Sequence, residues 1–430
     1  MGIKGVWKIL LVWLMVTLYS FKMQGQQESD TRIETISFHG IEKNKEAYLR
    51  LFSQSQIGES LSDSLLLEDI QRLKIIPSIG DVSYVLDTID QSIDLVFQIE
   101  ETKTLFPIVN FGSVKNNTWF QLGFSDLNWR GNGSLLSVTY QNRDSRYHGG
   151  QIYYRAPRLR GSDWGFSATL NKTASLEPLF FEKGVVDYEY SNHEFGASLI
   201  KEFGFQKQLE FGGTYFVENY LRRQNTFPEY PIGPKSLKQS KFLTKLEFTN
   251  NSIDYHYFYL KGIYWKAALQ NVYTFSDETW FQSFQLSGRY FSRVGEEANL
   301  ALRFIGGIAT NNDSPFAPYV VDSHTNLRGV GSRAARGTAQ LFINLEYRKT
   351  IHETKEWGVQ LVSFLDVGTW REPGSGFDNF FAPGQFKQFI GGGFRLIYKE
   401  YYDAVLRVDY GINIQDILQR GVIVGFGQYF

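Results

Sequence analysis

From about Leu105 to Phe430 the sequence is written in short runs that alternate apolar and polar residues between turns. In "SLLSVTYQN", Leu136, Val138 and Tyr140 share one face while Ser137, Thr139 and Gln141 share the other. In "DWGFSATLNK" the apolar face carries Trp164, Phe166, Ala168 and Leu170. The pattern returns in "QIYYRAP", "AQLFINLEYRK" and "DAVLRVDYGIN", with Arg155, Asn344, Arg348, Arg407 and Asp409 on the polar side. A period of two is that of a β-strand. After the first 25 residues no stretch holds the 18 uninterrupted apolar residues of a membrane helix.

A soluble sandwich also alternates, but it hides its apolar side. Aromatic residues at segment ends, such as Trp119, Trp129, Trp164, Tyr290 and Tyr347, instead match the girdles of membrane barrels. At roughly 20 residues per strand and turn, residues 106–430 make about 16 antiparallel strands. Lipid offers no partner to a bare sheet edge, so the first and last strands must meet.

Composition removes other classes. The formal net charge of -1 gives no electrostatic case for nucleic acid. The absence of cysteine excludes disulfides, thiolate chemistry and Cys-ligated metals. The six histidines stand apart with no nucleophile, acid–base or His-x-x-x-His pattern, so no catalytic residue, metal or cofactor is expected and the chain reads as a non-enzyme. The stretch "NYLRRQNTFPEYPIGPKSLKQSK" reads as a solvated loop.

The N-terminus has the order of an export signal, 1–25: Lys4 and Lys8, the apolar run Ile9–Ser20, then a cleavage region near Gly25. Residues 31–102 read as a strand, two helices and two strands, a small α+β unit in which Leu65, Leu66, Ile70 and Leu73 form a helical stripe. This unit, with Gly40 after its first strand, "IGESLS" between its helices and "IEE" at its end, resembles a polypeptide-transport-associated (POTRA) domain. The resemblance implies that clients add a strand to an exposed sheet edge, for which Asp81, Val82, Ser83, Tyr84, Val85 and Leu86 are the candidates.

The polar, Gly-rich stretch at 311–337 cannot cross lipid as a strand and reads as a loop, which the resemblance that follows implies is folded into the lumen. Its Leu327, Arg328 and Gly329, together with Phe364, Asp366 and Gly368 of "FLDVG", resemble paired motifs of the BamA/TamA assembly-factor superfamily, the bacterial surface antigens. "SDLNWRGNGSLLSV", "GGGFRLIY" and "LRVDYG" are similar to other strands of that family, whereas Val330 stands where an aromatic is common. The resemblance implies that Arg328 meets Asp366, a pairing a guanidinium fork suits. It also implies a weak lateral seam between the first and last strands, here with Pro107, Gly425, Gly427 and the terminal Phe430.

The function implied by resemblance is insertion of β-barrel proteins into the outer membrane of a Gram-negative bacterium, with the N-terminal domain in the periplasm. A translocation pore for one or few secreted proteins is the alternative, and a passive porin a weaker one. Expected partners are outer-membrane lipids, unfolded outer-membrane or secreted clients, and periplasmic chaperones or accessory lipoproteins.

Overall fold

The computed structural model describes residues 32–89, 92–114, 117–159, 161–223, 233–256, 258–401 and 404–430; the expected signal segment lies outside them. The N-terminal unit runs β1 (Arg32–His39), α1 (Glu46–Leu49), a 3-10 turn (Arg50–Phe52), α2 (Asp63–Lys74), β2 (Ile79–Ile89) and β3 (Ser92–Glu101). Its sheet has the order β1-β3-β2, with β1 parallel and β2 antiparallel to β3. Leu66 and Leu73 of α2 pack with Leu95 and Phe97 of β3, and removal of these side chains from water drives the unit together. Asp69, on the same helix, is buried because its carboxylate accepts hydrogen bonds from the Gln54 and Ser55 amides at 2.6 and 3.0 Å.

The barrel wall begins with β4 (Leu105–Val114), β5 (Asn117–Trp129), β6 (Ser134–Arg143), β7 (Tyr147–Ala156), β8 (Trp164–Phe181) and β9 (Gly184–Phe203). It continues through β10 (Lys207–Arg222), β11 (Ser236–Asn251), its short extension β12 (Asp254–His256), β13 (Tyr259–Thr274), β14 (Thr279–Val294) and β15 (Ala298–Ala309). Inside the lumen β16 (Tyr319–Val321) and β17 (Ala335–Gly337) form a two-stranded ribbon. The wall then resumes as β18 (Ala339–Glu353), β19 (Trp357–Arg371), β20 (Lys387–Tyr398), β21 (Val405–Asn413) and β22 (Arg420–Phe426). Counting β11 with β12 as one, 16 antiparallel strands close on themselves.

Strand β18 shows why the wall faces lipid. Ile343, Leu345 and Tyr347 are 41%, 36% and 41% exposed, while Asn344, Glu346 and Arg348 between them are fully buried on the luminal side. Apolar groups outside and paired charges inside are the inverse of a soluble core and the arrangement of a transmembrane barrel.

Two sequence expectations change here. Trp119 is no girdle residue: its ring turns into the lumen and meets His324 edge-on at 5.0 Å. The basic stretch read as one loop is wall at both its ends, since β10 continues to Arg222 and β11 starts at Ser236. Lys241 within it is buried against Glu218 at 2.6 Å, so the charge that suggested solvent is neutralised in the lumen.

The N-terminal unit docks on one rim of the barrel. Lys43 Nζ reaches Asp126 at 2.8 Å, the Asn128 side chain donates to Asn44 at 2.9 Å, and the Lys45 amide donates to the Gly131 carbonyl at 2.9 Å. Arg158 lies against the adjoining rings of Phe52 and Phe205 at 5.1 and 4.9 Å and donates to Glu202 at 2.7 Å. Burial, with the Glu202 carboxylate nearby, raises the pKa of the Tyr48 hydroxyl above its ordinary value.

Gly131 makes this dock close: its φ is +72°, and a Cβ there would stand 1.9 Å from the Lys43 carbonyl oxygen. Gly131→Val is therefore expected to release the domain while leaving the barrel intact. Trypsin cleavage after Lys103, in the linker, should speed up about tenfold, because cleavage follows the population of the open form. An unchanged rate would show that the dock tolerates the added side chain.

Candidate functional site

The loop between β15 and β18 enters the lumen because it carries its own small core. Val321, Leu327 and Val330 pack on Phe342, Trp370 and Phe389 of the wall. Val330 fills this space as an aliphatic, the residue at which the sequence departs from the family pattern. Leu327 and Arg328 are fully buried. Gly329, at φ +93°, lies against Gly411 of β21, where a Cβ would come within 2.8 Å of the Gly411 carbonyl oxygen. Gly368 likewise leaves room for Phe342 and Leu327, whose atoms would stand 2.3 and 2.8 Å from an added Cβ.

That approach sets Arg328 in a cage of carboxylates. Its Nε donates to Asp366 Oδ2 and its Nη2 to Asp366 Oδ1, both at 2.8 Å, and its own amide donates to Oδ2 at 3.1 Å. Its Nη1 meets Glu346, and Asp409 lies 3.8 Å away. The guanidinium also stacks 3.5 Å over the centre of the Phe364 ring. Two parallel bonds, a carboxylate pair and an aromatic face all hold one side chain in one orientation.

The network continues beyond the two expected motifs. Arg348 donates to Glu346 at 2.7 Å, Arg395 to Asp409 at 2.8 Å, and Arg303 to Asn344 at 2.9 Å. Arg303, Arg328, Arg348, Arg395 and Arg407 thus stand against Glu346, Asp366 and Asp409, and all eight are buried. Glu346 was missed in the sequence although it lies between Asn344 and Arg348, where a period of two alone turns it inward.

The last residues of the chain supply what the excess of arginine holds. Gly427, at φ +82°, ends β22 and turns the backbone into the lumen. The Gln428 carbonyl accepts from Arg407 at 3.0 Å, the Tyr429 hydroxyl donates to the Ser323 carbonyl at 3.1 Å, and the Phe430 carbonyl accepts from Arg348 at 3.0 Å. The Tyr429 ring is covered by Arg328 at 4.2 Å and Arg303 at 4.7 Å, and Tyr429 and Phe430 are both buried.

This changes the expected seam. Among the described residues strand β22 meets β4 at four positions: Gly421 with Val114, Val422 with Ser113, Ile423 with Gly112, and Val424 with Phe111. Neither Gly425 nor Pro107 is in the four joining pairs; their register partners are Arg407 of β21 and Phe124 of β5 on the other side. Gly427 and Phe430 belong to the luminal tail and not to the seam, because the positive φ at Gly427 ends the strand first. The β4 stretch from Leu105 to Asn110, nearest the N-terminal unit, has no β22 residue in register; there the Asn110 side chain accepts from the Phe426 amide at 3.1 Å.

Residues Asp81–Leu86 lie in β2, an outer strand of its sheet. The opposite outer strand, β1, is partly covered, since Gly58 donates to the Ile33 carbonyl at 2.8 Å and Ile33 to that of Glu59 at 3.0 Å. Between the start of β2 (Ile79, Gly80) and the luminal tail (Gln428–Phe430) lies a cleft of about 310 Å³, walled on the barrel side by Phe258, Tyr398 and Tyr401.

These features define a class of membrane protein: a 16-strand barrel with a loop locked in its lumen, a barely paired closing seam and a small domain under one rim. The chain resembles the crystal structure of BamA from Haemophilus ducreyi lacking POTRA domains 1–3, with a TM-score of 0.54 and 15% identity over 94% of this chain and 85% of that one. It also resembles CdiB from Acinetobacter baumannii, with a TM-score of 0.58 and 13% identity over 93% of this chain and 74% of that one. CdiB from Escherichia coli gives a TM-score of 0.58 and 10% identity over 93% and 77%. No family profile and no curated protein matches the sequence. The chain thus shares its fold with BamA and CdiB.

Proposed function

We propose that this chain is an outer-membrane protein assembly factor that inserts β-barrel clients through the seam between β4 and β22. The observation that carries this reading is the seam itself. Among the described residues it joins at four positions where the adjoining pair β4 and β5 joins at ten, and the unpaired half faces the N-terminal unit. An edge with free backbone groups templates another strand.

The proposed route begins in the periplasm at the outer edge of β2, where Tyr84 and Val85 are exposed, passes the cleft beside the luminal tail, and ends on β4. The locked loop occupies the lumen where a passive porin of this width keeps water, which favours lateral insertion. The solved relatives in fold divide between barrel assembly and a secretion pore, so the clients decide between insertion and translocation.

Depletion of the protein in its own cells, followed by quantitative proteomics of outer membranes and secreted material, tests the proposal. Assembly predicts that several barrel proteins fall together while their unfolded forms collect in the periplasm. Loss of a single secreted protein with barrels unchanged would assign translocation, and no change in either fraction would leave a passive channel.

A further inference from the structure

At the rim opposite the N-terminal unit a guanidinium stands without a partner. Arg143 ends β6, and the turn at 144–146 that follows lies at the other end of the wall from the docked Gly131. Among the described residues the Arg143 side chain makes no hydrogen bond and no ion pair. Its Nη1 is sealed from water with no acceptor, while Nε and Nη2, equally unbonded, keep accessible surface.

Beside it lies a cavity of about 560 Å³ between the wall and the luminal loop. Four arginines, Arg143, Arg146, Arg223 and Arg333, line it against two carboxylates, Asp144 and Asp187. Asp144 already accepts from the Thr118 amide at 3.2 Å. Arg333 gives its Nε to Glu177 and leaves both Nη groups unbonded and accessible, and the Ser332 hydroxyl next to it has no partner among the described residues.

Charges further off do not balance Arg143 either. The one that acts on it most strongly is Arg333, a second cation, ahead of Asp322 and Glu177. Both of those carboxylates are engaged, Asp322 by the Arg333 amide at 2.6 Å and Glu177 by Arg333 and Arg336. Water alone does not settle the charge. A guanidinium spreads it over three nitrogens, and here one of the three is out of reach of solvent. An anion on the open Nε–Nη2 edge would neutralise the whole group through two parallel bonds, the geometry in which Arg328 holds Asp366.

We propose that this cavity binds a phosphate monoester, held in a fork by Arg143 with Arg333 and Ser332 as further donors. Such a group carries about 1.5–2 negative charges at neutral pH, which matches the excess of arginine over aspartate in the lining. A carboxylate brings one charge and two oxygens to the donors of three side chains. The volume lies within the range of small-molecule pockets, so the esterified group has room beside the phosphate. The site is made by the wall and the luminal loop alone and does not depend on the proposed insertion.

The test uses the full-length protein in a neutral, phosphate-free detergent at low salt. Binding of inorganic phosphate, glucose 6-phosphate, glucose and acetate is followed by calorimetry, with phosphorus NMR for the two phosphates. Both phosphates should bind saturably and glucose should not. Arg143→Gln should weaken phosphate binding about tenfold, and Arg143→Lys, which keeps the charge without the fork, should recover part of it. Unchanged heat-modifiable migration on gels checks folding of each variant. Competition by phosphorylated core oligosaccharide from the cell's own surface glycolipid, lost when its phosphates are removed, assigns the source to that lipid; saturable phosphate binding without competition assigns it to a free phosphate ester. Absence of saturable binding by both phosphates overturns the proposal, as does wild-type affinity in folded Arg143→Gln or acetate bound as tightly as phosphate.

Discussion

Arg328→Ala should lower the unfolding free energy of the barrel by about 3–5 kcal/mol, the cost of removing one partner from a buried ion pair. The figure follows from what is left behind. Asp366 would lose the two side-chain bonds of 2.8 Å, and Glu346 would lose one of its guanidinium partners. Both carboxylates are fully buried, with no solvent to replace the loss. Arg328→Lys keeps the charge but not the fork, and should recover only part of the stability. The unfolding midpoint, read from tryptophan emission and from gel migration after heating, measures both. A change within about 0.5 kcal/mol, the range of ordinary surface substitutions, would show that the loop is not held by this contact. A fall in client assembly at temperatures where the variant stays folded would separate positioning of the loop from bulk stability.

Closing the seam covalently should abolish assembly almost completely. Ser113 and Val422 are opposed across β4 and β22, and both face outward. The chain has no cysteine, so Ser113→Cys with Val422→Cys yields one defined disulfide between side chains that lie close enough in an antiparallel pair. Reconstituted in liposomes, the oxidised protein should fail to insert a client barrel, and reductant should restore insertion. Leu246→Cys with Leu269→Cys, opposed across β11 and β13 and also outward, serves as the control that should remain active. Full activity of the oxidised seam variant would exclude the lateral route and leave the lumen as the path.

Much of this architecture is written in the sequence because lipid enforces it locally. On β18 each residue's side is set by the period of two, and Leu327-Arg328-Gly329 and Phe364, Asp366 and Gly368 stand out because a buried pair needs those groups and that room. What the sequence hid was decided by long-range register. That Arg303, Arg395 and Asp409 join Arg328 depends on which strands adjoin the loop, and no local pattern gives that. Trp119 misled because an aromatic near a strand end can face either way, and the side follows from the count along β5. The terminal "GFGQYF" reads as one strand until the left-handed backbone at Gly427 is known.

The luminal tail gives the last strand two fastenings of different kinds. One is the run of four backbone pairs to β4 near the far rim, and the other, near the domain, is the grip of Arg348, Arg407 and Ser323 on Gln428–Phe430 together with the bond from the Phe426 amide to Asn110. They lie at opposite ends of β22 and share no residue, so releasing either leaves the strand tethered by the other. If the two act independently, the fraction of molecules with a fully free edge is the product of two small probabilities, each of which a separate event can raise. On the proposed lateral route the wall would then work as a coincidence detector: thermal fluctuation at one fastening leaks little, and a client that disturbs both at once would open the seam.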